Sequence, residues 1–166
     1  MNIALIGFMG TGKSSVGRKL AERIGYKFVD LDQEIVEYEG LEIPQIFATA
    51  GEDYFREVET EVTKKIASKD KQVIATGGGV VLKEENLEAL RSNGTLVLLT
   101  ATSEEILKRT SHDGNRPLLE VDDPLAKIEQ LLAERKDKYD CTPYQIDTTG
   151  LSLLEVVDEI IEQLEL

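Results

Sequence analysis

Gly7-Phe8-Met9-Gly10-Thr11-Gly12-Lys13-Ser14 matches the pattern G-x-x-x-x-G-K-[ST]. It follows an apolar run at residues 3–6 that reads as a buried strand, and it opens an amphipathic stretch at 13–24 that reads as a helix. That is the strand–loop–helix setting the pattern requires. The glycines let consecutive backbone N–H groups turn toward phosphate oxygens, and the helix N-terminus adds positive potential. Lys13 is expected to reach the β- and γ-phosphates, and the Ser14 hydroxyl to ligate Mg²⁺.

Outward from the loop, short apolar runs alternate with helical stretches. Strands are expected at 28–30, 73–75, 96–99 and 144–147. Helices are expected from about Asp32, over 52–68 (with Phe55, Val58, Val62 and Ile66 on one face) and over 123–139. Thr102 with Glu105, and Ser152 with Glu155, read as capping boxes that open two further helices. Non-alternating strands separated by helices predict an α/β fold: a three-layer αβα arrangement around a parallel sheet. No composition shift divides the chain, so residues 1–166 read as one domain. In such sheets ligands bind at the carboxyl ends of the strands.

The 166 residues are 41% hydrophobic and carry a net charge of −13. That field repels nucleic acids and anionic membranes, so neither is expected as a partner. It also repels ATP mildly, so an ATP site must be assembled from local cations and backbone donors. Cys141 is the only cysteine, which fits a reducing compartment. The N-terminal run lacks a basic n-region, and no apolar run is long enough to span a bilayer. A cytoplasmic location is expected.

No Asn-Lys-x-Asp stretch is present to read guanine, and the run at 73–75 ends in Thr76-Gly77-Gly78-Gly79 where a Walker B aspartate would stand. The metal's carboxylate must come from elsewhere. Asp30-Leu31-Asp32 closes the second strand: one carboxylate can face the metal's water shell and the other an acceptor hydroxyl, or Asp32 can simply cap the next helix. Arg135 falls in a stripe with Leu125, Ile128, Leu132 and Tyr139. A guanidinium on an apolar face needs an anion. That anion is either a core-edge carboxylate such as Asp30 or Asp32, or a carboxylate or phosphate of the acceptor. Otherwise the side chain snorkels out. Arg56, three residues before Glu59, reads either as half of a surface ion pair or as part of the same site. Gly77-Gly78-Gly79 reads as a connector or as backbone that a ligand can approach closely. His112-Asp113-Gly114-Asn115-Arg116-Pro117 resembles a lid of about 110–122, in which Arg116 reads either as an ordinary solvated loop arginine or as a cation aimed at phosphates by the following proline.

Taken together, residues 7–14, Asp30-Leu31-Asp32, Phe55-Arg56 with Glu59, Gly77-Gly78-Gly79, Arg116-Pro117-Leu118-Leu119 and Arg135 with Tyr139 resemble the shikimate kinase family along essentially the whole chain. The resemblance implies a P-loop kinase of the nucleoside-monophosphate-kinase type, with five parallel strands in the order 2-3-1-4-5 and a lid. It implies a monomer that uses ATP and Mg²⁺ to phosphorylate the 3-hydroxyl of shikimate. Carried over residue by residue, it implies that Gly10, Thr11, Gly12, Lys13, Ser14 and Ser15 hold the nucleotide, with Arg109 near the adenine and Arg116 on the phosphates. Asp30 and Ser14 would serve Mg²⁺. Asp32 would orient the attacking hydroxyl, and Arg56, Arg135, Gly78 and Gly79 would hold the acceptor carboxylate. The acceptor-binding helices would span about 32–62. Ser15 stands where threonine is commoner, and Thr148-Thr149 replace a basic residue that some relatives place by the adenine. Two other readings are a gluconate or nucleoside-monophosphate kinase, and a non-catalytic nucleotide-binding regulatory module.

Overall fold

The computed structural model describes residues 1–111 and 119–166. Its frame is a five-stranded parallel sheet in the order β2-β3-β1-β4-β5. The strands are β1 (Asn2–Ile6), β2 (Lys27–Asp30), β3 (Gln72–Ala75), β4 (Gly94–Thr100) and β5 (Gln145–Asp147). The helices among the described residues are α1 (Lys13–Ile24), α2 (Leu31–Glu39), α3 (Ile43–Ala67), α4 (Glu84–Ser92), α5 (Ser103–Thr110), α6 (Pro124–Tyr139) and α7 (Leu153–Leu164).

β1 shows why the strands do not alternate in polarity. Its residues point to opposite faces in turn, yet all are buried. Ile3 and Leu5 pack with Val16 and Leu20 of α1 and with Val157 and Ile160 of α7. Ala4 and Ile6 join Ile35, Val58, Leu87, Ile106 and Ile128 from the helices of the other layer. Each face is covered, as a parallel sheet requires. The register Asp30↔Ala75 and Thr100↔Asp147 brings the carboxyl ends of β2 and β3, and of β4 and β5, into line beside the loop that leaves β1.

Several local expectations need correction. α2 begins at Leu31, and its cap is Asp30, whose carboxylate accepts from the N–H groups of Asp32 and Gln33. Asp32 lies inside the first turn and is not the cap. The Thr102–Glu105 box forms only in half. Thr102 Oγ1 accepts from Glu105 N, but Thr102 N donates to Thr149 Oγ1, while the Glu105 carboxylate pairs with Arg109. The Ser152–Glu155 box is complete. α4 and residues 43–50 of α3 were not anticipated: breakers surround residues 43–50 and α4 is short, so neither shows a long apolar period. Gly51 (φ 84°, ψ 171°) breaks α3 in a conformation closed to most side chains.

Candidate active site

The loop at residues 7–14 links β1 to α1. Gly7 (φ 141°) leaves the strand where a Cβ would run into the carbonyl oxygen of Leu99. α2, α5, α6 and α7 each start with a side-chain cap, but α1 starts at Gly12 (φ 96°), with no side-chain cap and no acidic residue in its first turn. Its leading N–H groups are thus left to an anion. Lys13 is 7% exposed, and its ammonium donates to the carbonyls of Gly7 and Phe8, both at 2.8 Å. Thr11 turns inward, and its hydroxyl donates to Phe8 O at 2.8 Å. Ser15 is exposed at the loop's mouth.

Ser14 Oγ donates to Asp30 Oδ2 at 2.7 Å. Capping occupies Asp30 Oδ1, so its other oxygen faces the loop. These two hard oxygen donors suit Mg²⁺, which binds through one or two protein oxygens plus phosphates and water. The cleft in front of the loop has a volume of about 320 Å³ and is lined by Gly10, Gly12, Lys13, Ser14, Ser15, Asp30, Asp32, Gly77, Gly78 and Arg109 among others.

Behind Gly77-Gly78-Gly79 stand the ionic groups. A Cβ on Gly77 would lie 2.9 Å from Glu59 Oε2 and 3.2 Å from Asp32 Oδ1. One on Gly78 would lie 3.7 Å from Arg135 Nη1, and one on Gly79 would overlap the Arg56 guanidinium. The glycine run is therefore not a loose connector. At Gly77 a side chain would crowd two carboxylates, and at Gly79 it would overlap a guanidinium.

Arg56 and Glu59 are not a surface pair, because both are buried, Glu59 to 1% exposure. Arg56 Nη1 donates to Glu59 Oε1 at 2.9 Å, and Nη2 to Glu52 Oε1 at 3.4 Å. Burial pushes the Glu59 carboxyl above the usual carboxylate range; Arg56 pulls it down, Asp32 pushes it further up, and Arg135 pulls it down. Arg135 is 3% exposed and does not snorkel. It enters no ion pair among the described residues, so the pairing with Asp30 or Asp32 does not occur. Its Nη1 is buried with no hydrogen-bond partner among the described residues, and the guanidinium lies 5.7 Å from the Phe8 ring. A buried cation donor left in this way fits an anion delivered from the cleft. Tyr139, one turn along α6, donates to Gly78 O at 2.6 Å and holds the glycine run down. Its hydroxyl proton is retained more tightly than usual, chiefly through burial.

Glu59 is near Arg56 in sequence, and Tyr139 near Arg135, but no local spacing brings Gly77–79 against them. Arg109 Nη1 donates to Gly10 O in the loop at 3.1 Å. Arg116 and the centre of the expected lid, 112–118, lie outside the described residues.

A five-stranded parallel sheet of this order, with a phosphate loop leaving its central strand and a cleft in front of it, places the chain among the P-loop kinases. Within that class the chain belongs to the shikimate kinase family: the family model described as shikimate kinase matches residues 9–165. Shikimate kinase of Thermodesulfovibrio yellowstonii is 46% identical over 99% of this chain and 95% of its own length. That of Geobacter metallireducens is 48% identical over 99% and 92%. The solved structure of shikimate kinase from Acinetobacter baumannii in complex with shikimate superimposes with a TM-score of 0.95 at 40% identity, covering 98% of this chain and 92% of that one.

Proposed function

We propose that this chain transfers the γ-phosphoryl group of ATP to the 3-hydroxyl of shikimate, giving shikimate 3-phosphate and ADP. The observation that carries this reading is the pair of buried arginines facing the glycine run, each with a buried N–H donor that has no partner among the described residues. A carboxylate-bearing polyol supplies the missing anion. Gluconate shares that chemistry, but the family membership favours shikimate; a nucleoside monophosphate would also want a base pocket beside Asp32.

In this reading Lys13 exchanges its two loop carbonyls for β- and γ-phosphate oxygens, a stronger charge-assisted bond. Gly10, Gly12 and the first N–H groups of α1 cradle the phosphates, and Ser15 borders them. Ser14 and Asp30 hold Mg²⁺, which when bound neutralises charge on the transferring phosphoryl oxygens. Asp32 accepts from the attacking hydroxyl and orients it. Phosphoryl transfer depends mainly on positioning and charge neutralisation, so a strong base is unnecessary. Arg56 and Arg135 clamp the carboxylate, with the Gly78 and Gly79 backbone completing its site. Arg109 borders the adenine. Arg116, with a lid of about 110–122, covers the phosphates and excludes water. Residues 32–62 form the acceptor-binding helices. A cytoplasmic monomer completes the reading; no helix among the described residues is long and apolar enough to cross a membrane.

ADP release from Mg-ATP, followed with shikimate, gluconate, several nucleoside monophosphates and no acceptor, tests the assignment. Release stimulated by shikimate alone is expected. Stimulation by another acceptor would overturn the roles of Asp32, Arg56 and Arg135. Acceptor-independent turnover, or none from a folded ATP-binding protein, would favour a regulatory module.

A further inference from the structure

We propose that Thr148 is a positioning residue for the phosphate donor, acting through Arg109 and the phosphate loop; this rests on the reading of the cleft as the nucleotide site.

Thr148 follows β5 directly, at the sheet end that carries the loop, and is 3% exposed. Its hydroxyl stands 2.8 Å from Thr100 O and 3.3 Å from Thr11 O, and it accepts from Arg109 Nη1 at 3.0 Å. A hydroxyl has one proton and two lone pairs. The proton goes to the nearer carbonyl, Thr100, and the lone pairs are left for the guanidinium. The Thr148 carbonyl accepts from Arg109 Nη2 at 3.3 Å. With Nε on Glu105 at 3.0 Å and Nη1 also on Gly10 O at 3.1 Å, four of the arginine's N–H groups are engaged.

A guanidinium held along its edges has a fixed plane, and Arg109 lines the cleft. Fixing it beforehand removes an ordering cost from nucleotide binding. The helix that carries it is tied at both ends to the same strand terminus. Thr149 Oγ1 accepts from Thr102 N at the start of α5, and Thr148 takes Arg109 near its close. α5 in turn rests on the loop itself: a Cβ on Gly10 would lie 2.8 Å from Thr110 Cγ2. Thr148 therefore joins β4, β5, α5 and the phosphate loop, and none of its contacts reaches the acceptor side at Gly77–79.

The test is a split between the two substrates. Thr148→Val keeps the shape and removes the hydroxyl. It is expected to raise the KM for Mg-ATP and the Kd for ADP by about tenfold, and to leave the KM for shikimate within about twofold. Thr148→Ser, which restores the hydroxyl, should recover most of the loss. Unchanged nucleotide affinity in the valine variant overturns the proposal. So does a parallel rise in both KM values, or failure of serine to rescue, since either would mark a merely structural role. If the valine variant does not fold, Thr148→Ala carries the test: weaker ADP binding with an unchanged KM for shikimate supports the proposal, and unchanged ADP binding overturns it. Wild-type protein that binds no ADP in calorimetry would overturn the cleft assignment, and the proposal with it.

Discussion

Arg56 donates to Glu59 at 2.9 Å inside the protein, with Glu59 Oε2 left buried and without a partner beside Gly77. The arginine proposed to receive the acceptor carboxylate thus arrives with its own counterion. Glu59 aims it, and Arg56 Nε, also buried without a partner, is left over.

Breaking this pair from the Glu59 side exposes both terms. Glu59→Ala leaves a buried guanidinium short of an anion and should cost about 3 kcal/mol of stability. Glu59→Gln imitates the protonated acid and separates out the titration. Because burial raises the Glu59 pKa above 4.5 in the folded state, there is a pH window above 4.5 in which the folded protein holds a proton that the unfolded chain has released, and above that window Glu59 is the anion that faces Arg56. Its contribution is full below 4.5 and is lost as pH rises through the folded value. Urea unfolding of wild type and Glu59→Gln at about pH 5 and about pH 8 should show wild type losing ground to the variant at the higher pH. A pH-independent difference would mean that Glu59 is ionised throughout.

Arg135 should show function and stability moving apart. It has no ion pair among the described residues, so Arg135→Met should leave the unfolding free energy unchanged or slightly higher, in contrast with Glu59→Ala. The same change should weaken shikimate binding by about 2–5 kcal/mol. An unchanged KM for shikimate in the folded variant would remove Arg135 from the acceptor site.

Gly79 has an ordinary backbone conformation (φ −95°, ψ 5°), so an added methyl acts by volume alone. The methyl of Gly79→Ala would push the Arg56 guanidinium out of place. Steady-state kinetics should show the KM for shikimate raised at least about tenfold, as for loss of a charged hydrogen bond, with the KM for Mg-ATP nearly unchanged. Equal losses for both substrates would indicate that the whole run had shifted instead.

Asp30 combines two tasks that one substitution can part. Asparagine caps a helix about as well as aspartate, so Asp30→Asn should keep α2 and the melting temperature within a few degrees. It removes the negative charge 2.7 Å from Ser14 Oγ. Titration of activity with Mg²⁺ should then need a higher concentration to reach half-maximal rate. Unaltered Mg²⁺ dependence would free Asp30 from metal binding.

Features that rest on local spacing are legible in the residue order alone. The loop at 7–14 fixes its own chemistry, because the glycines, Lys13 and Ser14 act within one turn of chain. The strand and helix periods were enough for a parallel sheet with both faces covered, and the 3-4 spacing around Arg135 already turned that residue inward. Strand order entered only through the family resemblance, since the spacing of apolar runs does not say which strands lie side by side. Packing between elements settles which carboxylate caps α2, that Glu59 is buried on Arg56, that Arg135 forms no ion pair among the described residues, and that Thr148 ties Arg109 to the loop. Each of these depends on what stands opposite a residue, and the partners are remote: Tyr139 meets Gly78 across 61 positions, and Thr148 meets Thr11 across 137. Periodicity names the face a side chain occupies. Its electrostatic neighbours are set by packing between elements, and packing here ran three glycines between four charged groups.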